Sequence, residues 1–318
     1  MKLLDEFKSR YVVAIDIETV RIEDKYDDLP EHWQSAWEYK NKQDGEIPDF
    51  EELSDLWVRK SSLYAEFSKV CAVSIVFMND DESLFCKEFY GDNELEILEG
   101  LSEYLERMVA ANKTYRLVGH ASKFFDYPFL SKRYLINGIA IPTILDTAHL
   151  KPWENTNLCT NEIWKCGGTG AGSSLQALCT VLKLPVSKVD LVGDEVGTAY
   201  YRGEYKRIGT YCSYDTIATF NIIRKLKGEK VFQFEEVEYL NQDQEKTEDT
   251  PILKAILNRG KILAKEYKEL EKVAKGLDPG EIPNYKRIIQ AALSKKEEDY
   301  GVKEIALFEK LDNLITNK

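Results

Sequence analysis

The clearest pattern along the chain is an apolar run near the N-terminus that ends in two acidic residues. Residues 11–19 are Tyr-Val-Val-Ala-Ile-Asp-Ile-Glu-Thr, without a glycine or a proline. This pattern predicts a buried central strand, because β-branched residues favour extended backbone. Alternate side chains of a strand share a face, so Asp16 and Glu18 point the same way, roughly 7 Å apart along the chain.

Two like charges at the end of a buried strand need an explanation. They repel each other and are costly to remove from water unless a cation lies between them, which makes Asp16 and Glu18 a first indication of a metal site. The competing interpretation is a solvated strand end, with one carboxylate capping the following turn. Further carboxylates on elements that reach the same point would favour the metal site.

Strands and amphipathic helices continue this pattern along the chain. Apolar runs predict four further strands, at residues 70–78, 83–90, 115–119 and 139–145. Helical periodicity and capping residues predict helices at residues 94–111, 126–138, 173–184, 194–202 and 204–226. With the strand at residues 11–19, the sequence predicts five strands in all.

The sequence predicts a main domain at residues 1–228, an insertion within it, and two further segments after it. Residues 21–63 are polar and irregular, which predicts an insertion with one or two short helices. Its tryptophans are expected to pack it onto the body, although stacking on bases stays open. Residues 229–250 are acidic and predict a linker. Residues 251–318 predict a helical extension, whose first helix is rich in Lys and Arg and is the best candidate contact with a nucleic acid or a partner.

Charge and composition narrow the class of protein. The net charge of −12 argues against a broad basic face for nucleic acid, but not against an enzyme that holds a strand end with metal ions. The chain has no apolar run of about 18 residues, and its first residues lack the apolar segment of a signal peptide. We therefore expect a cytoplasmic protein.

The cysteines point to free thiols. The six cysteines form no Cys-x-x-Cys pair. Cys159 and Cys166 flank a loop with His149 upstream, so a zinc site is conceivable. Free thiols in a reducing compartment are the favoured interpretation.

Two later segments supply further carboxylates. Asp126 opens the helix at 126–138, and Pro128 lies just inside it. Asp215 follows Tyr211 by four residues, so both lie on one face of the helix at 204–226. Helix capping by Asp126 and a simple surface pair of Tyr211 and Asp215 are the competing interpretations.

In this order, the segments resemble the tyrosine form of the DEDD superfamily of 3′–5′ exonucleases, in particular the stand-alone family related to the proofreading domain of family B DNA polymerases. The resemblance covers residues 10–228, and residues 188–196 resemble the lead-in to the third motif. It is carried by residues 16–19, Asp-Ile-Glu-Thr; residues 119–130, Gly-His-Ala-Ser-Lys-Phe-Phe-Asp-Tyr-Pro-Phe-Leu; and residues 211–215, Tyr-Cys-Ser-Tyr-Asp. The histidine form would need histidine at position 210, which is threonine. Ala121 stands where the family has asparagine, which implies altered positioning of the strand end rather than loss of activity.

The resemblance implies a ribonuclease-H-like (DnaQ-like) α/β exonuclease fold, with a central five-stranded mixed sheet and a C-terminal helical extension. It also implies phosphodiester hydrolysis by two metal ions, Mg²⁺ or Mn²⁺, which prefer oxygen ligands. Asp16 would bridge both ions. Glu18 and Asp215 would complete the first, and Asp126 would hold the second. Tyr211 would orient the attacking water.

By the same resemblance, a 3′ terminus would enter beside Thr19 and Val20. Further nucleic-acid contacts are expected from aromatic packing on the last base and from lysines on phosphates, namely from Phe124, Phe125, Lys123 and Lys188.

The favoured function is thus a 3′–5′ exonuclease on single-stranded DNA in replication or repair. Because the remaining chain cannot hold a polymerase, proofreading would act in trans, on a separate polymerase contacted through the extension. One alternative is a 3′–5′ exoribonuclease of ribonuclease D type. The other is a catalytically silent nucleic-acid-binding accessory subunit, against which the complete set of carboxylates argues.

Overall fold

A six-stranded mixed sheet forms the centre of the fold. The structure, a computed structural model, describes residues 2–42, 47–151, 153–185 and 191–240. The strands are β1 Val12–Arg21, β2 Ser68–Met78, β3 Leu84–Tyr90, β4 Arg116–Gly119, β5 Leu158–Cys159 and β6 Val237–Tyr239. Their order is β5-β4-β1-β2-β3-β6. Only β2 runs antiparallel to the others, since β1 pairs antiparallel with β2 and parallel with β4.

Helices cover both faces of the sheet. Within the described ranges they are α1 Lys2–Asp5, α2 Glu31–Asn41, α3 Phe50–Lys60, α4 Glu94–Ala111, α5 Asp126–Ile136, α6 Thr160–Lys165, α7 Leu175–Leu182, α8 Val196–Tyr201 and α9 Tyr205–Leu226. Short 3₁₀ turns lie at Ser9–Tyr11, Tyr26–Asp28, Ser61–Leu63, Gly193–Glu195 and Phe234–Glu236. The α/β class and the mixed sheet are confirmed, with six strands where the sequence predicts five. None of the helices described here is long and apolar enough to cross a membrane.

Alternate side chains of β1 pack in two different core layers, one on each face of the sheet. Val13, Ile15 and Ile17 pack in one cluster with apolar residues of α4 and α5. Val12 and Ala14 pack in the other, against the C-terminal half of α9. Asp16 and Glu18 continue the second series, so the pleat of β1 turns both carboxylates toward the α9 side of the sheet.

The insertion at residues 21–63 forms a small aromatic core of its own. It contains the two helices α2 and α3, as predicted. Trp37 and Trp57 are fully buried with ring centroids 5.2 Å apart, and Phe67 joins them. These two tryptophans therefore pack the insertion and are not available to stack on bases.

The predicted strand at residues 139–145 is wrong. This segment is an irregular loop, in which Ile139, Ile141 and Ile144 pack against the main core without sheet pairing. Pro142 lacks the backbone N–H that a central strand needs. The neighbour of β4 is instead β5, where Val118 pairs with Leu158.

The acidic stretch after residue 228 begins as part of the sheet. Val237–Tyr239 forms β6, which pairs with β3, and Val237 is buried. Residues 229–240 therefore belong to the unit that contains the sheet, in contrast to the linker predicted for residues 229–250. The remainder of that linker and the extension at residues 251–318 lie outside the described residues.

Candidate metal centre

Asp16 and Glu18 lie where β1 outruns its neighbour. Strand β4 pairs only with Val12–Ala14, so the β4 side of the next residues of β1 has no strand beside it. On the other side, β1 stays paired with β2, and the register shifts between Glu18 and Thr19. The shift bends the strand directly after the second carboxylate. The result is a recess at the end of β4, with the two acidic side chains at its edge.

Asp126 fills this recess from the start of α5. Its carboxylate accepts hydrogen bonds from its own backbone N–H and from the backbone N–H of Ile17, the residue between Asp16 and Glu18. The side chain is buried, with 4% of the residue exposed. The N-cap position of α5 is Phe125, which makes no side-chain cap. Asp126 is therefore more than a helix cap, because it joins α5 to β1.

A tight turn carries the chain from β4 to Asp126. A Cβ at Gly119 would lie 2.4 Å from the Cβ of Ser122, so only glycine fits there. Ala121 has φ +61°, a left-handed conformation that favours glycine or asparagine. His120 holds the turn against the following segments, with Nδ1 2.9 Å from Thr160 Oγ1 and Nε2 2.8 Å from the Ser173 carbonyl. Because that carbonyl can only accept, His120 Nε2 carries the proton.

Helix α9 supplies the last carboxylate, Asp215, on the face of β1 that this helix covers. The Tyr211 hydroxyl donates a hydrogen bond to the Asp215 carboxylate. Cys212, one residue further, is fully buried, and its thiol donates to the backbone carbonyl of Asp16 at 3.3 Å. Ile208 and Cys212 pack with Val20 and Ala72 of the sheet, which fixes this part of α9 on the strands.

The surroundings of the four carboxylates make their ionised forms unfavourable. Burial raises the pKa of Asp16 well above its usual value, and the charges of Asp126, Glu18 and Asp215 raise it further. The pKa of Glu18 is raised by burial and by the charges of Asp215 and Asp126. Burial raises the pKa of Asp126 to about 7 and that of Asp215 to about 6. Burial and the neighbouring carboxylates also raise the pKa of Tyr211, so the phenol stays protonated.

This donor set fits hard divalent cations. None of the ion pairs formed within the described part of the chain includes any of the four carboxylates. A buried acidic cluster without a cationic partner is unfavourable unless metal ions neutralise it. Carboxylate oxygens are the ligands that Mg²⁺ and Mn²⁺ prefer. One carboxylate oxygen of Asp16 lies within 4.8 Å of one of Glu18, so the two side chains converge on the same point.

Comparison with known proteins identifies the family. A family model described as a predicted 3′–5′ exonuclease related to the exonuclease domain of PolB matches residues 61–269, more than half of the chain. The chain belongs to this family. The match includes Asp126, Tyr211 and Asp215, whereas β1 with Asp16 and Glu18 precedes it.

One solved structure shows a weak similarity to this chain. It is the family B DNA polymerase from the hyperthermophilic archaeon Pyrobaculum calidifontis, with 15% identity and a TM-score of 0.40. The similarity covers 68% of this chain and 24% of the polymerase, so the chain spans about a quarter of that protein's length. No curated protein matches this sequence.

The apolar residues that are expected to contact nucleic acid differ in how exposed they are. Phe124 is 71% exposed, with Lys165 Nζ 6.0 Å from its ring centroid, whereas Phe125 is half-buried against Phe129, so Phe124 offers the more accessible ring. Val20 is fully buried, so its side chain is not available to a strand end that enters beside it.

The remaining expected contacts are polar. The Thr19 hydroxyl donates to the Ser62 carbonyl at 2.8 Å, and Lys123 pairs with Glu162 at 2.9 Å. A strand end would have to compete with both interactions. Lys188 lies outside the described residues.

Sequence reasoning missed one residue of the centre and one buried ion pair that holds α5 in place. Cys212 carries no signal of its own beyond its place beside Tyr211 in the third motif. The buried pair of Arg133 and Glu94 was also missed, at 2.5 Å between Nη2 and Oε2. Glu94 further accepts from the Val70 N–H, and Arg133 donates to the Ala65 carbonyl, so this pair ties α5 to β2, α4 and the segment between the insertion and β2.

Proposed function

We propose that this protein is a divalent-metal-dependent 3′–5′ exonuclease that removes nucleotides from the 3′ end of single-stranded DNA. The observation that supports the proposal is the meeting of four uncompensated carboxylates, from three distant segments, near the C-terminal end of the central strand β1. Membership of a family of predicted 3′–5′ exonucleases supports the same reaction class.

The proposed roles follow from position and charge. When bound, a pair of divalent ions supplies an activated water and stabilises the departing 3′ oxygen. Asp16 is close enough to the other three carboxylates for each of their charges to raise its pKa, and it would contact both ions. Glu18 and Asp215 would hold the first ion, and Asp126 the second, while its bonds to backbone N–H groups keep its carboxylate oriented.

Tyr211 would act as a positioning residue for the attacking water. Its hydroxyl already donates to Asp215, and its raised pKa keeps it a phenol rather than a phenolate at neutral pH. A phenol can donate one hydrogen bond and accept another. It can therefore accept from a water that approaches the Asp215 carboxylate and hold it in line with a bound phosphate.

The test uses a 5′-labelled single-stranded DNA and the full chain. The wild type should shorten the strand stepwise when Mg²⁺ or Mn²⁺ is present and stop when a chelator removes the ions. Asp16→Ala should abolish shortening, while Asp194→Ala, at an exposed position, should leave it unchanged. Digestion by Asp16→Ala at the wild-type rate would refute the assignment of the centre.

Two other functions would give different results in the same assay. A 3′–5′ exoribonuclease would degrade a matched RNA strand faster than the DNA strand. A non-catalytic binding subunit would retain the labelled strand in a mobility-shift gel and never shorten it. A complete set of carboxylates favours the enzyme, because binding alone does not require them.

The biological setting is a further proposal. We propose a cytoplasmic enzyme that acts in DNA replication or repair and proofreads in trans for a separate polymerase. The predicted basic helix of the extension, within residues 251–318, is the proposed point of contact.

A further inference from the structure

Cys212 places a sulfur atom inside the acidic centre. Its Sγ and one carboxylate oxygen each from Asp16 and Glu18 lie within 4.8 Å of one another. The thiol is fully buried and donates to the backbone carbonyl of Asp16 at 3.3 Å, so it is held beside the acidic pair by the fold. A magnesium-dependent nuclease holds its ions with oxygen ligands and does not need a sulfur atom at this position.

A sulfur changes the cations that such a site prefers. Mg²⁺ takes oxygen ligands and gains nothing from a thiol, whereas Zn²⁺ binds thiolate and carboxylate together, with a Zn–S distance of about 2.3 Å. Affinity for mixed donor sets also rises from Mn²⁺ toward Zn²⁺ along the first-row series. Small side-chain rotations would bring three donors within 4.8 Å onto one ion.

We propose that Cys212, Asp16 and Glu18 form a binding site for thiophilic divalent cations, such as Zn²⁺ or Cd²⁺, which exclude Mg²⁺ from this position and arrest the nuclease. On binding, the metal–sulfur bond replaces the S–H bond, and the proton leaves to solvent without change of oxidation state. Water completes the coordination. The inference rests on the proposed function, in that the centre must bind divalent cations.

The chain supplies a matched control. Cys71 is also buried beside the centre, and its thiol donates to the backbone carbonyl of Glu18 at 3.4 Å. It does not belong to the group of converging ligand atoms. Cys166 is the exposed thiol among the described cysteines, so Cys166→Ser removes the main source of adventitious binding.

The experiment titrates Cd²⁺ into the full-length Cys166→Ser protein and follows the ultraviolet cadmium–thiolate charge-transfer absorption. One equivalent should produce the band. Cys212→Ser should lose it and weaken Cd²⁺ binding by at least about 10- to 100-fold, the loss seen when a group that merely orients a ligand is removed. Cys71→Ser should keep the band. Loss of the band in Cys71→Ser, or its survival in Cys212→Ser, would overturn the proposal.

A second measurement uses the wild type, in case Cys212 variants fail to fold. Because Cys212 is fully buried, alkylation followed by mass spectrometry measures how fast local opening of the fold exposes each cysteine to the reagent. One equivalent of Zn²⁺ should slow Cys212 selectively, and an unchanged rate for Cys212 would overturn the proposal. Neither readout needs catalysis, so a normal cadmium band in a protein that digests no DNA would count against the proposed function alone.

Discussion

The Asp126 carboxylate accepts a hydrogen bond from the backbone N–H of Ile17. Ile17 separates the two acidic residues of β1, and its side chain packs in the opposite core layer. Beyond Ala14, β4 no longer supplies carbonyls to this side of the strand. The carboxylate of Asp126 therefore takes the place of a missing strand, and the same bond holds it close to Asp16 and Glu18.

Stability without divalent ions should fall as the pH rises from about 4 to about 7. The raised pKa values, about 7 for Asp126 and about 6 for Asp215, mean that the folded protein keeps protons that the unfolded chain releases. Unfolding therefore becomes easier as pH rises through this window. Thermal unfolding in a chelator, followed by circular dichroism at several pH values, measures the slope.

Mg²⁺ should flatten this pH dependence, because bound cations favour the ionised carboxylates. The double variant Asp126→Asn, Asp215→Asn should have a smaller slope in the chelator than the wild type. A wild-type slope in the double variant would assign the dependence to other groups.

Asp16→Asn should stabilise the metal-free protein while abolishing digestion. The substitution removes a negative charge that burial and three neighbouring carboxylates disfavour, which is the cause of the raised pKa of Asp16. Denaturant unfolding in a chelator checks this gain. The exposed Asp194→Asn should change stability little, and a destabilised Asp16→Asn protein would contradict the electrostatic account.

Tyr211→Phe should slow digestion by about 100-fold, as expected when a positioning group is lost from a reacting water. The carboxylate ligands remain, so Mg²⁺ binding measured by calorimetry should stay near the wild-type value. Tyr214→Phe is the matched control, since the Tyr214 ring packs on Phe234 with centroids 4.3 Å apart. Equal rates for the two variants would remove Tyr211 from the mechanism.

Ala121→Gly should stabilise the protein by about 1 kcal/mol, because a left-handed conformation costs an alanine roughly 1–2 kcal/mol and glycine adopts it freely. Ala36→Gly is the opposite case, at an exposed position in the middle of α2, and should destabilise by about 1 kcal/mol. Chemical denaturation of both variants gives the two signs. Losses at both positions would contradict the strain at Ala121.

Arg133→Ala should destabilise the protein by about 3–5 kcal/mol, because it leaves the buried Glu94 carboxylate without its cation. The control is Arg107→Ala on α4, whose pair with Glu103 is exposed and should contribute less than about 0.5 kcal/mol. Urea unfolding of the two variants separates the cases. A loss of similar size in both would argue against a special role for the buried pair.

Much of this protein follows from local sequence pattern. The β-branched run before Asp16 specifies β1, and Tyr211 and Asp215 share a face of α9 because four residues make about one helical turn. Helix α4 begins after Asn93, whose side chain accepts from the Leu95 N–H as its capping position predicts. These features depend on neighbours along the chain, so they can be predicted without the fold.

Other features depend on the tertiary structure alone. The segment at residues 139–145 has strand-like composition, but β5 occupies the place beside β4, and the isoleucines of the segment are buried in a loop instead. Strand β6 lies in an acidic stretch whose composition predicts a linker. In both cases, the segment that forms the edge strand is selected by its position in the fold rather than by its strand propensity.

The sequence by itself determined which carboxylates the protein carries and on which kinds of element they lie. Only the tertiary structure decided that Asp126 bonds to Ile17 and that Cys212 accompanies Asp16, because each contact joins residues far apart in the chain. Such contacts depend on how the two core layers pack around β1, and no local pattern of residues encodes that packing.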